Sequence, residues 1–311
     1  MRLCFLVLAH YNPEGVGRLV RTLSAGGDMV IVHVDTKVDQ AAFEQTAPPS
    51  KLVRYESDRV DIRWGSASIM RAQLHLMRTA LREVPEADYY WLVSGDSYPL
   101  QSVTDVKAYL AANHPAEYLN AVRMPRDDLD KPLYRLTNYR FNFDARSGKH
   151  RRFWMALNRL ARRPWKHHFR DMPPHGGSSW FTLTREATQY VVDYLDQHPR
   201  FNGYVWHSGA PEEWLPHTLL EAVPRFAARR RGALFWADFR ETTPPPKPPP
   251  LGDDHIELLK QLLVSPGENG YPDPAPPLVA RKFGIDSTRI VDRVEAELWP
   301  ISAATPGPAA R

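Results

Sequence analysis

The chain has 311 residues, 43% of them apolar, enough to bury a full core organised as one or two domains. Its single cysteine, Cys4, excludes an internal disulfide framework and a cysteine-rich zinc site, and fits a reducing compartment. The net charge of +4 is modest but uneven: Lys149, Arg151, Arg152, Arg159, Arg162, Arg163, Lys166 and Arg170 share one stretch that holds no acidic residue.

Leu3–Ala9 is an apolar run that predicts a core strand, with Cys4 as packing. It comes after Met1-Arg2 as a signal peptide would, yet it is short and meets His10-Tyr11-Asn12-Pro13 without a small-residue cleavage site. Nothing else approaches the roughly 20 apolar residues that span a bilayer. The expectation is a cytoplasmic protein, soluble or peripheral on the membrane.

A helix is predicted over Pro13–Leu23 and a second strand over Met29–Val34, which runs into "HVDTK" at 33–37. A core strand that stops abruptly at polar residues fits an open α/β sheet, where ligands bind beyond the strand carboxyl ends. Then come a helix over Ser66–Arg82, a strand over Tyr89–Val93 ending at Ser94-Gly95-Asp96, a helix over Val103–Ala112 and a strand over Glu117–Val122. This alternation predicts βαβ units and a mainly parallel central sheet flanked by helices.

Residues 123–174 are polar, basic and aromatic, without a clear period. Order returns in a strand over Ser179–Leu183 and helices over Glu186–Leu195 and Glu212–Ala222. The Pro-rich stretch 242–250 can be neither helix nor central strand, because proline fixes φ and lacks the amide donor. It is predicted as a rigid surface connection inside one domain spanning 1–300, with a disordered tail at 301–311.

No dinucleotide fingerprint, P-loop or nucleophile elbow is present, and the histidines show no metal-ligand spacing. Asp128-Leu129-Asp130 has the form of a diphosphate-metal triplet but sits among loop signals. Glu212-Glu213 comes directly after Pro211, so the pair reads either as helix N-terminal charge or as a general base at the mouth of the crevice. Arg281-Lys282 ends an apolar stretch and reads either as a solvated pair or as a diphosphate clamp. In the basic stretch 149–170, Phe153, Trp154, Leu157, Leu160 and Ala161 recur at helical spacing. That stretch covers part of the core, or it meets an anionic membrane surface. No recognition motif accompanies it, so nucleic acid is not an expected partner.

Six segments stand in a telling order: "HVDTK" (33–37), "WGSASIMRAQLHLM" (64–77), "YYWLVSGDSYPL" (89–100), "GGSSWFTLTREATQYV" (176–191), "PEEWLPHTLL" (211–220) and "ARKF" (280–283). Together they resemble the core-2/I-branching glycosyltransferases, the family that also holds the peptide O-xylosyltransferases. The resemblance runs from about Leu3 to about Phe283, with 123–174 and the Pro-rich stretch unmatched. It implies a GT-A-type α/β fold with a UDP-sugar at the strand carboxyl ends. Ala9, His10, Asp35, Arg63, Trp64, Gly65 and Asp96 would line the nucleotide side, with Ser68 nearby and Asp35 as a hydrogen-bond acceptor for uridine or ribose.

Arg281 and Lys282 would stabilise the departing diphosphate, so neither a metal nor another cofactor is expected. Glu213 would be the general base of an inverting transfer, best served by a carboxyl raised toward neutrality. Glu212 would stand beside it, and Gly177, Ser178, Ser179 and Trp180 would border donor and acceptor. GlcNAc is the first donor expectation and xylose the second; a glycan or lipid-linked molecule is the acceptor. A catalytically silent glycan-binding protein and a peripheral membrane protein on the same fold are the alternatives. The Arg-, Ala- and Pro-rich composition points to an enzyme of bacterial cell-surface glycans.

Overall fold

A computed structural model of the chain describes residues 1–140, 153, 156–157, 160–240, 248–266, 271 and 274–301. Strands β1 (Leu3–Ala9), β2 (Met29–Val34), β3 (Val53–Tyr55) and β4 (Tyr89–Ser94) run parallel in the order β3-β2-β1-β4. Beyond β4, β9 (Thr182–Thr184) is inserted antiparallel, and then come β6 (Glu117–Tyr118) and β10 (Arg230–Arg231). The seven-stranded sheet is therefore mostly parallel, as the alternation predicts.

Its strands are buried on both faces, and period-two alternation divides their side chains between two cores. Leu3, Phe5 and Val7 of β1, with Val30 and Val32 of β2 and Trp91 of β4, pack against helix α1 (Pro13–Ser24) and the C-terminal helices. Cys4, Leu6, Ile31 and Leu92 pack on the opposite face against α3 (Ser68–Glu83) and the helix Arg185–Gln197. Each fully buried aliphatic or aromatic side chain contributes about 1.5–3 kcal/mol. Between α1 and α3 lies the short helix α2 (Ala41–Thr46), and α4 (Val103–Ala112) joins the first core.

Three expected elements differ in detail. The strand predicted over Glu117–Val122 is two strands, because β7 (Val122–Arg123) leaves the main sheet to pair with β8 (His175–Gly176). Asn120 makes the break, its side-chain oxygen accepting from Ala233 N at 2.9 Å. The strand predicted over Ser179–Leu183 begins only at Thr182. The helix predicted over Glu212–Ala222 is a 3-10 turn, Pro211–Glu213, and then the helix Leu215–Glu221; Pro216, in the first turn of that helix, has no amide to continue a ladder from the turn.

A smaller sheet sets the site. β5 (Ser97–Pro99) turns back directly after β4 and pairs antiparallel with β12 (Val279–Arg281), which pairs on its other side with β11 (Phe235–Ala237). Most of the Pro-rich stretch, 242–247, and the tail 302–311 lie outside the described residues. So do Lys149, Arg151, Arg152, Trp154 and Arg159 of the basic stretch. Within the remainder of that stretch, Arg163 lies against the core. It is buried, donates to the Leu136 and Tyr204 carbonyls and to the Ser208 hydroxyl, and lies 3.6 Å from the Tyr204 ring centre. Arg162, Lys166 and Arg170 stay exposed, as do Phe153 and Leu160.

Candidate active site

The carboxyl ends of β1, β2 and β4 open on one side, and the predicted donor residues gather there. At the end of β1 the Ala9 carbonyl accepts from Asp35 N at 2.9 Å, which ties the first two strand ends together. Gly95 packs against Ala9, and a Cβ at position 95 would lie 3.0 Å from the Val16 side chain and 3.2 Å from Ala9 Cα. His10 lies within electrostatic reach of Asp35, Asp96, Arg281 and Lys282. The His10 ring packs on Tyr11 with centroids 4.8 Å apart.

Asp35 is buried, and both of its oxygens are engaged by one residue: Oδ1 accepts from Lys37 N at 2.9 Å and Oδ2 from Lys37 Nζ at 2.8 Å. Lys37 also reaches Asp61 at 3.0 Å, and Asp61 accepts from Arg63 Nε at 2.9 Å. The strand end at 33–37 is thus wired to the Arg63-Trp64-Gly65 loop. That loop is held from both sides, by the Ser68 hydroxyl accepting from Arg63 N at 2.7 Å and by Arg140 donating to the Gly65 carbonyl at 2.9 Å. Gly65 has φ of 71°, a left-handed conformation that favours glycine. His33, by contrast, is not part of the crevice. Its side chain points into the core, where Nε2 accepts from Val60 N at 2.9 Å and burial pushes its pKa down to about 4, so it is a neutral packing residue.

The pairing of β12 with β5 places Arg281 opposite Ser97, next to the Asp96 turn. Arg281 Nη2 meets Asp96 Oδ2 at 3.0 Å, and Phe283 N donates to the Asp96 carbonyl at 2.8 Å. Tyr11 donates to the same Asp96 oxygen at 3.3 Å; Asp96 Oδ1 is buried and accepts no hydrogen bond among the described residues. Arg281 lies over the Trp180 ring at 5.5 Å and Lys282 over the Tyr11 ring at 5.6 Å. Asn12 closes this corner, its amide donating to the Gly284 carbonyl at 3.1 Å.

The segment Gly177–Trp180 connects this cation pair to the acidic pair. At one end Trp180 faces Arg281; at the other Gly177 N donates to the Glu213 carbonyl at 2.9 Å. Ser178 Oγ accepts from Trp180 N at 3.3 Å, and the Ser179 carbonyl accepts from Gln73 at 3.2 Å. Gly177 is sterically obligatory, since a Cβ there would sit 1.8 Å from the Asn120 carbonyl oxygen.

Glu213 is anchored by its neighbour Trp214, which is fully buried against Phe169, Phe201 and Tyr204. Its Oε2 accepts from Lys131 Nζ at 2.7 Å and from Arg135 Nη1. Arg135 also holds Asp130 at 2.8 Å. Burial would raise the Glu213 carboxyl, but the Arg135 and Lys131 charges outweigh it and bring it down to about 2. That is opposite to the raised carboxyl expected of a base. The raised one is Glu212, whose side chain is buried with Oε2 lacking a hydrogen bond among the described residues; burial and then the Glu213 charge push it up to about 8. Two adjacent glutamates are thus driven apart by burial, which dominates at Glu212, and by the cations that hydrogen-bond only to Glu213.

Lys131 and Arg135 come from the segment that the family resemblance left unmatched, and sequence reasoning missed them. Their only trace is two cations four residues apart in "DKPLYRL", with Leu133 and Leu136 between and beyond them. Lys131 is held by a tight hairpin, with backbone bonds in both directions to Arg126, and Arg135 by the helix α5 (Tyr134–Thr137). Tyr11 was also missed. In the triplet Asp128–Asp130, Asp128 pairs with Arg126 at 2.7 Å and Asp130 turns to Arg135. Among the described residues no group of three or more His, Cys, Asp or Glu is arranged to hold a metal ion. Among them, too, no helix is long and apolar enough to cross a membrane.

The strand ends of this α/β sheet thus carry an acid-cation corner, joined by a short strip to a clamped carboxylate. Residues 3–262 match the Core-2/I-Branching enzyme family, and the chain belongs to that family of glycosyltransferases. It is 26% identical over 232 residues to human xylosyltransferase 2, covering 71% of this chain and 24% of that protein. It is 23% identical over 238 residues to rat xylosyltransferase 1, covering 72% and 26%. The chain therefore spans about a quarter of the length of these relatives. Among solved structures, mannose-1-phosphate geranyltransferase from Thermus thermophilus shares 15% identity over 75% of this chain and 74% of its own, at a TM-score of 0.32, too slight a likeness to add to the argument.

Proposed function

We propose that this chain is an inverting glycosyltransferase that moves a sugar from a UDP-sugar to a hydroxyl of a glycan or lipid-linked acceptor. The observation that carries the reading is the β12–β5 pairing, which brings Arg281 and Lys282 from the far end of the sequence to the Asp96 turn after β4. Two adjacent cations at the carboxyl end of a core strand suit a diphosphate, the guanidinium as a fork and the ammonium as a point charge. In this reading they take the charge that develops on the leaving UDP without a metal, while Asp35, Arg63, Trp64 and Gly65 hold the nucleoside.

The reaction then balances simply. The acceptor oxygen bonds to the anomeric carbon as its proton passes to Glu213, and the bond from that carbon to the diphosphate breaks with its electron pair leaving on UDP. Gly177–Trp180, strung between Arg281 and Glu213, borders the space where these atoms meet. The relatives named xylosyltransferase bring UDP-xylose forward as a donor, beside UDP-GlcNAc. The test is UDP release from a panel of UDP-sugars in EDTA. Turnover of one donor that survives EDTA and is lost in Glu213→Gln supports the reading; turnover abolished by EDTA overturns the metal-free role of Arg281 and Lys282. Failure to bind UDP at all favours the silent glycan-binding alternative.

A further inference from the structure

Both cations that reach Glu213 converge on the same oxygen. Lys131 Nζ and Arg135 Nη1 each donate to Oε2, and Oε1 accepts no hydrogen bond among the described residues, although the side chain as a whole is 26% exposed. The donors are themselves immobilised. Lys131 and Arg135 are only 8% and 10% exposed at the side chain, Lys131 packs along Gly176, and the second Arg135 nitrogen is occupied by Asp130. A carboxylate bound this way has its χ angles fixed and one oxygen withdrawn from chemistry.

Resting on the proposed role of Glu213, we propose that Lys131 and Arg135 are positioning residues that clamp Oε2, which leaves Oε1 as the oxygen that takes the acceptor proton. Neither cation touches a reacting atom in this scheme; both act through Glu213. The clamp also holds the carboxyl well below its ordinary value, so the base is ionised at neutral pH. Basicity is given up for constant readiness and aim, a reasonable exchange where orientation supplies most of the rate. The other charged or titratable groups around Glu213 are Glu212 on its own turn, His217 on the next helix, Asp130 beyond Arg135, and Tyr271. His217 is buried and held well below its ordinary value, by loss of solvation first and then by Lys131, so it stays neutral. Lys131 and Arg135 are therefore the cations that set the state of Glu213.

The test needs no acceptor. Carboxyl carbon resonances of glutamate-labelled protein, with Glu213 assigned by difference from Glu213→Gln, are tracked between pH 2.5 and pH 8 in wild type, Lys131→Met and Arg135→Lys. The expected result is no titration midpoint of Glu213 above pH 3 in the wild type, an apparent pKa moved up by about one to two units in Lys131→Met, and a smaller upward move in Arg135→Lys, which keeps the charge and loses the fork. A wild-type midpoint above about pH 4, or variants whose midpoint does not move, overturns the clamp. Should Lys131→Met fail to fold, Arg135→Lys carries the same comparison. UDP release from UDP-xylose and UDP-GlcNAc by the same proteins separates the two claims. If Glu213→Gln releases UDP as well as wild type does, the base assignment falls while the clamp is judged on the titration alone.

Discussion

The donor corner and the acidic pair obtain their charge balance by different means. At the donor corner, Arg281 is delivered by strand pairing, and the acid it meets, Asp96, ends a core strand of the family pattern. At the acidic pair, the turn at 211–213 supplies only carboxylates, and the compensating cations arrive from a loop and a four-residue helix nearly eighty residues earlier. The sheet-built corner is tied to backbone hydrogen bonds and tolerates little change. The acidic pair depends on side chains lent by a segment outside the main sheet.

Substitutions should separate the two regions. The largest effect is expected at the acidic pair itself: Glu213→Gln should cut transfer by about 10²–10⁴-fold while leaving UDP affinity, read by calorimetry, near wild type. At the donor corner, Arg281→Gln or Lys282→Gln should cut turnover by about 10²–10³-fold and weaken UDP binding as well. Equal loss of UDP affinity in all three would erase the distinction.

Between the regions, Gly177→Ala forces a methyl group into the Asn120 carbonyl and should destabilise the fold by about 1–3 kcal/mol in denaturant titration. An unchanged midpoint would mean that the connecting strip is looser than its contacts imply.

Glu212 gives a pH-dependent test. Its carboxyl is raised from 4.5 to about 8 in the folded chain, so the native state keeps a proton that the unfolded chain releases. The associated stability is complete below about pH 4.5 and is lost as pH climbs through about 8. Glu212→Gln removes that loss, so the melting temperature of the variant relative to wild type should rise between pH 5 and pH 8.5. A constant difference would place Glu212 in a wetter, lower-pKa environment. The smallest effect is expected at Ala210, whose φ of 41° costs a side chain but not glycine: Ala210→Gly should be neutral or stabilising by up to about 1 kcal/mol in a thermal melt.

Much of the fold and part of the site were legible in the sequence because they depend on local pattern. The short apolar runs of β1, β2 and β4, bounded by polar residues, read as strands buried on both faces, which puts the polar residues after each run at the sheet's carboxyl edge. That is why Asp35 and Asp96 read as residues of that edge and why Arg281 stood out as a charge ending an apolar stretch, whereas Glu213 drew notice as a charge opening a helix and took its expected role from the family resemblance. His33 sits one residue inside the end of β2 and is buried with the strand, because both faces of β2 are covered and only residues past its end reach the edge.

Residue order alone was enough for the mostly parallel α/β sheet, the edge at which its chemistry gathers and the family to which the chain belongs. Which of two adjacent glutamates is ionised became visible only in three dimensions, because it depends on the burial of Glu212 and on Lys131 and Arg135 hydrogen-bonding to Glu213 alone. The electrostatic interaction that sets a proton falls off over a few ångströms of space, and distance along the chain says nothing about it.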